Sequence, residues 1–136
     1  MVRVSPAPIS YGQLEALVAR PADGAVVSFY GVVRDHSGDL QVEALEYEAY
    51  VPMAERELTR IVEEARQRWD AGQIAVLHRI GHLRVGEISV AIAVGAEHRA
   101  AAFGACSFVI EAIKSRVPVW KREIGPQGAR WVGAEH

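Results

Sequence analysis

The chain has 136 residues, 50% of them apolar and 24% charged, a balance that suits one soluble domain with a buried core. A net charge of −2 excludes a general attraction for nucleic acid or acidic lipid, so an anion site has to be a local cluster of cations. The single cysteine, Cys106, excludes an internal disulfide framework, and the sequence has neither an N-terminal apolar run of signal-peptide length nor a window near the ~20 apolar residues of a membrane span, so the expectation is a cytoplasmic protein without membrane association.

In chain order, residues 2–8 read as an edge strand, because prolines suit an edge. Residues 11–20 read as a short helix ended by Pro21 and an Asp23-Gly24 turn. Residues 24–34 (GAVVSFYGVVR) are β-branched and aromatic and predict a buried strand. A turn at 35–39 leads to 42–50 (VEALEYEAY), where apolar and acidic residues alternate as in a half-exposed strand. The clearest helix follows: Pro52 lies near its start, Val51, Ala54, Leu58, Ile61, Val62, Ala65 and Trp69 recur at helical spacing, and Asp70-Ala71-Gly72 ends it. Residues 73–80 and 87–96 read as strands joined through His82-Leu83-Arg84-Val85-Gly86. A second helix over 98–115 is apolar nearly all round, which predicts burial on most sides or packing against another chain. Pro118 stops it. A short strand over 119–124, a turn at 125–128 and Arg130-Trp131-Val132 complete the order β-α-β-β-α-β-β-α-β-β, an α+β or α/β sandwich with a mixed sheet.

Of 15 Lys plus Arg, 13 are Arg; the only lysines are Lys114 and Lys121. A compositional bias toward Arg accounts for the first number but not for two lysines seven residues apart. A guanidinium stays protonated at working pH, whereas an amine can lose its proton and act as base or nucleophile. Glu97-His98-Arg99 opens the second helix, where cations are disfavoured by the helix dipole. Either Glu97 offsets them in solvent, or an anion belongs there, held by free N–H groups, the guanidinium and the imidazole. Lys114 and Arg116 end the same helix, where positive charge is favoured anyway. In Trp120-Lys121-Arg122-Glu123, strand alternation puts Lys121 and Glu123 on one face and Arg122 on the other. Arg34 ends a strand and His36 reads as a turn residue. His78 and His82 straddle a strand-to-turn junction with no third ligand, which argues against a metal site. Cys106 lies among apolar helix residues and reads as inert packing, so the chain offers no sulfur carrier of its own. The residues by themselves thus predict an anionic small molecule and amine-assisted chemistry.

In order and spacing, GAVVSFYGVVRDH, LEYEAYVPMAERELTRIVEEARQRW, IAVLHRIGHLRVGEISVAIAV, EHRAAAF, IKSRVPVWKRE and RWV resemble the large subunit of molybdopterin synthase, the MoaE family, over residues 24–132. The resemblance implies one large-subunit domain over 1–136 with an α+β fold of the α/β hammerhead type: a mixed sheet packed with helices plus a small antiparallel β subdomain. It implies a homodimer within a heterotetramer, with a small ubiquitin-like sulfur carrier at each end whose C-terminal Gly-Gly bears a thiocarboxylate. The implied reaction moves two sulfurs onto cyclic pyranopterin monophosphate, making the dithiolene of molybdopterin and opening the cyclic phosphate, with no metal or redox cofactor.

By resemblance, Arg34 with the backbone of Val32 and Val33 contacts substrate. His98 and Arg99 form an anion-binding pair that reaches the site of the neighbouring large subunit. Lys114 and Lys121 are the two catalytic lysines, also touching substrate, with Arg122 and Glu123 completing the contact. Lys114 is the first choice for proton transfer or for stabilising the intermediate, Lys121 the second. The sequence departs from the family around Asp35-His36-Ser37 and in ending at Gly133-Ala134-Glu135-His136, where relatives often continue with a basic tail. Two other readings compete: a Schiff-base enzyme using Lys114, and a binding platform for a ubiquitin-like carrier with no chemistry of its own. A nucleic-acid binder built on KSRVPVWKR is disfavoured by the acidic balance.

Overall fold

The computed structural model describes residues 1–132; the C-terminal departure at Gly133-Ala134-Glu135-His136 lies outside the described residues. Thirteen elements follow in order: β1 (Val2–Ser5), α1 (Glu15–Val18), β2 (Ala25–Val32), β3 (His36–Ser37), β4 (Leu40–Gln41), β5 (Ala44–Ala49), α2 (Val51–Trp69), β6 (Ile74–Arg79), β7 (Gly81–Arg84), β8 (Ile88–Ala96), α3 (Arg99–Arg116), β9 (Val119–Gly125) and β10 (Gly128–Val132). They build an α+β fold. A mixed sheet runs β1-β6-β8-β2, with β1 and β6 parallel and the other pairs antiparallel. A smaller antiparallel sheet runs β10-β9-β5-β7, and β3-β4 form a hairpin.

Period explains the layers. Every residue of β8 is buried because the strand is central and covered on both faces. Val90, Ile92, Val94 and Ala96 join the main core with α2 and α3, while Ile88, Ala91 and Ala93 meet Leu14 and Val18 beneath α1. α2 buries Ala54, Leu58, Ile61, Val62 and Ala65 as one stripe and ends with Asp70 in the left-handed region at φ 52°.

Four expectations change. The strand expected to be buried, β2, is an edge strand with Val26 and Val32 exposed; β-branched and aromatic residues announce a strand but not its place in the sheet. The helix expected over 11–20 shrinks to the four residues of α1, because Gly12 turns at φ 82° and gives its N–H to the Tyr30 hydroxyl at 2.9 Å. The expected 35–39 turn opens into the β3-β4 hairpin around Gly38. The expected connection 82–86 contains most of β7, a strand of the second sheet, reached through Gly81 at φ 91°. In α3 the apolar surface is only partly covered, since Phe103 stays 61% exposed. Among the described residues no helix is long and apolar enough to cross a membrane.

Candidate active site

The two sheets and the C-terminal end of α3 enclose a cavity of about 340 Å³, at the small end of sites for small molecules. Each wall follows from local geometry. Alternation along β9 turns Lys121 and Glu123 inward and leaves Trp120 and Arg122 on the other face. Across the ladder Tyr47 lies opposite Lys121 and Leu45 opposite Glu123. β6 contributes His78, in register with Val90 of β8. The last turns of α3 add Ile110, Ile113 and Lys114, and the exit of β2 adds Phe29, Gly31, Val32 and then Arg34.

Three cations therefore meet: Arg34 from the exit of β2, Lys114 from the end of α3 and Lys121 from β9. Burial lowers the Lys121 amine below the ordinary lysine range; Glu123 opposes that shift, and the charges of Arg34 and Lys114 add to it. Burial pushes the Glu123 carboxyl up, but hydrogen bonds from Arg130 and Ser37, with the charges of Arg130 and Lys121, outweigh it and leave the group below its usual value. The Arg130 guanidinium donates to Glu123 Oε1 from Nε at 3.0 Å and Nη2 at 2.8 Å. Glu123 is thus a fixed carboxylate beside a partly desolvated amine.

The remaining expected residues sit elsewhere. Val32 lines the cavity, but Val33 is buried and its backbone is already engaged: its N–H donates to the Glu87 carbonyl at 3.0 Å and its carbonyl accepts from Gly86 at 2.9 Å. Arg122 faces away, paired with Glu46 and stacked 5.7 Å from the Trp131 ring centre. His98 stands just before α3 with no side-chain capping hydrogen bond, and Arg99 is the first residue of the helix. Arg99 is 15 residues from Lys114 along the same helix, roughly 22 Å at ~1.5 Å per residue, so the pair cannot reach the cavity of its own chain. Cys106 is buried, and burial pushes its thiol up to about 11.

Residue-level reading of the sequence missed the inner wall. Tyr47, His78 and Ser89 are 6%, 3% and 7% exposed and all line the cavity. His36, read as a turn residue, lines its mouth, with Nδ1 2.7 Å from Asp35 Oδ1. The available signal was alternation: His78 shares a face with Ile74 and Val76, and Tyr47 with Leu45, so each polar group was set among core positions.

The family model described as MoaE protein matches residues 4–116. The chain is 46% identical over 132 residues to the molybdopterin synthase catalytic subunit of Salmonella typhimurium, covering 96% of this chain and 88% of that protein. It is 42% identical over 125 residues to the human protein of the same description, covering 92% and 66%. The crystal structure of molybdopterin synthase from Staphylococcus aureus superposes with a TM-score of 0.92 at 40% identity, covering 96% of each chain. A protein complex of subunits 1 and 2 of the molybdopterin-converting factor from Helicobacter pylori shares the fold, with a TM-score of 0.76 at 16% identity, covering 97% and 90%.

Proposed function

The chain belongs to the MoaE family, the catalytic subunits of molybdopterin synthase, and from that premise we propose how its cavity carries out sulfur transfer. The observation that carries the reading is the convergence of Arg34, Lys114 and Lys121 on one cavity with Glu123 beside Lys121. The substrate is cyclic pyranopterin monophosphate, and the donor is the thiocarboxylated C-terminus of a small ubiquitin-like subunit whose tail enters the cavity. The sulfur of the thiocarboxylate bonds to a substrate carbon as a C–O bond at that carbon breaks, the oxygen leaving as water or, where it belongs to the cyclic ester, as the phosphate oxygen. Water then attacks the acyl carbon, the acyl–sulfur bond breaks, and the carrier leaves as a carboxylate. A second carrier repeats the step, and the cyclic phosphate opens.

Arg34 and the lysines hold the phosphate and stabilise the charge that develops as the ring opens. Lys114 moves the proton or stabilises the intermediate, and Lys121, whose amine burial holds below the ordinary lysine range so that it gives up its proton more readily, supports it. Glu123 fixes Lys121. His98 and Arg99, exposed and remote from their own cavity, serve the site of a second large subunit in a homodimer. Val32 offers its backbone to the substrate, and Arg122 supports the strand from its outer face. The enzyme acts in the cytoplasm.

The test is reconstitution with a thiocarboxylated small subunit and the pyranopterin, scored for dithiolene product. Lys114→Ala keeps the fold and the complex and lowers product formation by about 10²–10⁴-fold. Turnover at the wild-type rate in that variant would remove Lys114 from the chemistry and, if changes at the partner interface still abolish function, would favour the binding-platform reading.

A further inference from the structure

Lys121 and Glu123 share the inner face of β9, yet among the described residues the carboxylate pairs with Arg130 and not with Lys121. Arg130 lies outside the cavity on β10, the edge strand of the second sheet. Register sets the pair: Arg130 stands directly opposite Glu123 in the β9-β10 ladder, where side chains of neighbouring strands approach most closely. Its Nε and Nη2 both donate to Glu123 Oε1, and Ser37 of β3 adds a hydrogen bond to the same carboxylate. Glu123 is 7% exposed, whereas the Arg130 side chain is 56% exposed. A buried carboxylate held by charge-assisted bonds from two elements has little freedom to turn.

That hold matters to the amine. The titratable or charged groups facing Lys121 across the cavity are Tyr47, His78, Arg34, His36, Lys114 and Glu123. Burial keeps Tyr47 and His78 uncharged at neutral pH. Among the described residues lining the cavity Glu123 is the one acid. The charges acting on the amine are those of Glu123, Arg34 and Lys114, so Arg130 reaches Lys121 only through the carboxylate. With Arg130 gone, the cation left beside Glu123 on that face is Lys121. An ion pair closed between them would hold the amine charged and occupied.

We propose that Arg130 is a positioning residue for sulfur transfer: by engaging Glu123 from outside the cavity, it keeps that carboxylate from closing on Lys121 and leaves the amine open to the anionic substrate. This rests on the reaction assigned above and gives a task to a side chain that does not line the cavity. Ser37 supports the same carboxylate from the β3-β4 hairpin. Two segments outside the catalytic wall thus set the state of one amine within it.

The test has two readouts: the Lys121 titration, followed by nitrogen-edited NMR on the full chain without substrate, and the pH profile of kcat in the reconstituted synthase. Arg130→Gln moves the Lys121 titration up by about one pH unit or more. Near neutral pH its kcat falls about tenfold and recovers as pH rises, because the neutral amine returns at higher pH. Arg130→Lys, which keeps the charge but not the paired donors, restores part of both. In a Glu123→Gln background, Arg130→Gln leaves the Lys121 titration within about a quarter of a pH unit, since nothing remains for it to act through. If Arg130→Gln does not fold, Ser37→Ala makes the same comparison from the other side of the carboxylate. Arg130 loses this role if Lys121 in the folded variant titrates as in wild type or lower, if the shift persists without Glu123, or if kcat falls equally at every pH. A titration that responds as stated in a synthase making no dithiolene would instead overturn the assigned reaction and leave the action of Arg130 on Lys121 standing.

Discussion

Lys121 is the residue on which most of the site's electrostatics act, and with only two lysines in the chain its titration can be followed alone. Nitrogen-edited NMR of the side-chain amines should place Lys121 below the ordinary lysine value, because burial disfavours the charged form. Glu123→Gln removes the one charge that raises it and should move the titration lower still; Arg34→Ala removes a repelling charge and should move it up. A Lys121 titration that ignores both substitutions would mean that the three groups do not share one cavity. Cys106 supplies the contrasting case. Buried in the core with its thiol pushed up to about 11, it is neither nucleophilic nor reachable. Cys106→Ala should keep wild-type turnover while costing about 1 kcal/mol of stability by denaturant titration, and a loss of sulfur transfer in that variant would reveal a carrier role for the thiol.

Among the elements, α3 links the core to the chemistry. Its C-terminal turn presents Lys114, and its middle packs on α2 through Gly104, where an added Cβ would collide with the Trp69 indole. That indole cannot swing aside freely, because it lies against Phe108 with ring centres 5.0 Å apart and under the Arg68 guanidinium. Two effects compete in Gly104→Ala. Helix propensity favours alanine by about 1 kcal/mol, and overpacking costs about 1–3 kcal/mol. The second should win, and the denaturation midpoint should fall. A variant more stable than wild type would show that Trp69 relaxes and that the helix pair is not close-packed there. The β3-β4 hairpin is held in a similar way: Gly125 on β9 gives room to the Gln41 carbonyl, a backbone atom with no rotamer to escape into.

For the whole molecule, His78 ties stability to pH. Burial holds its folded pKa at about 4, below the ordinary histidine value of 6.5. Between those values the unfolded chain binds a proton that the folded chain refuses, so stability rises with pH across that window and is lost as pH falls from about 6.5 toward 4. The full swing is up to about 3 kcal/mol. Urea unfolding at several pH values should show the slope in wild type and a flatter profile in His78→Gln; identical profiles would contradict a buried neutral imidazole. Assembly gives a second test at this scale. If His98 and Arg99 complete a neighbour's site, a one-to-one mixture of inactive Arg99→Ala and Lys114→Ala chains, after subunit exchange, should recover roughly a quarter of wild-type activity, because half the dimers then hold one intact site. No recovery would confine each site to its own chain.

The sequence by itself narrowed the class to α+β or α/β and determined α2 with both of its ends, the run of β8, and the placing of Lys121 and Glu123 on one face of their strand, because period and stop signals act over a few residues. It also singled out the two lysines by chemistry and, with them, Arg34 by family pattern. It did not place β2 at an edge, find β7 in the second sheet, or show that Val33 spends its backbone on Glu87 and Gly86, since those outcomes depend on pairing between segments far apart in the chain. The inner wall was hidden for the same reason. His78 in an apolar strand looks like a core position, and only the approach of β5 from the second sheet turns it, with Tyr47, into a wall of the cavity.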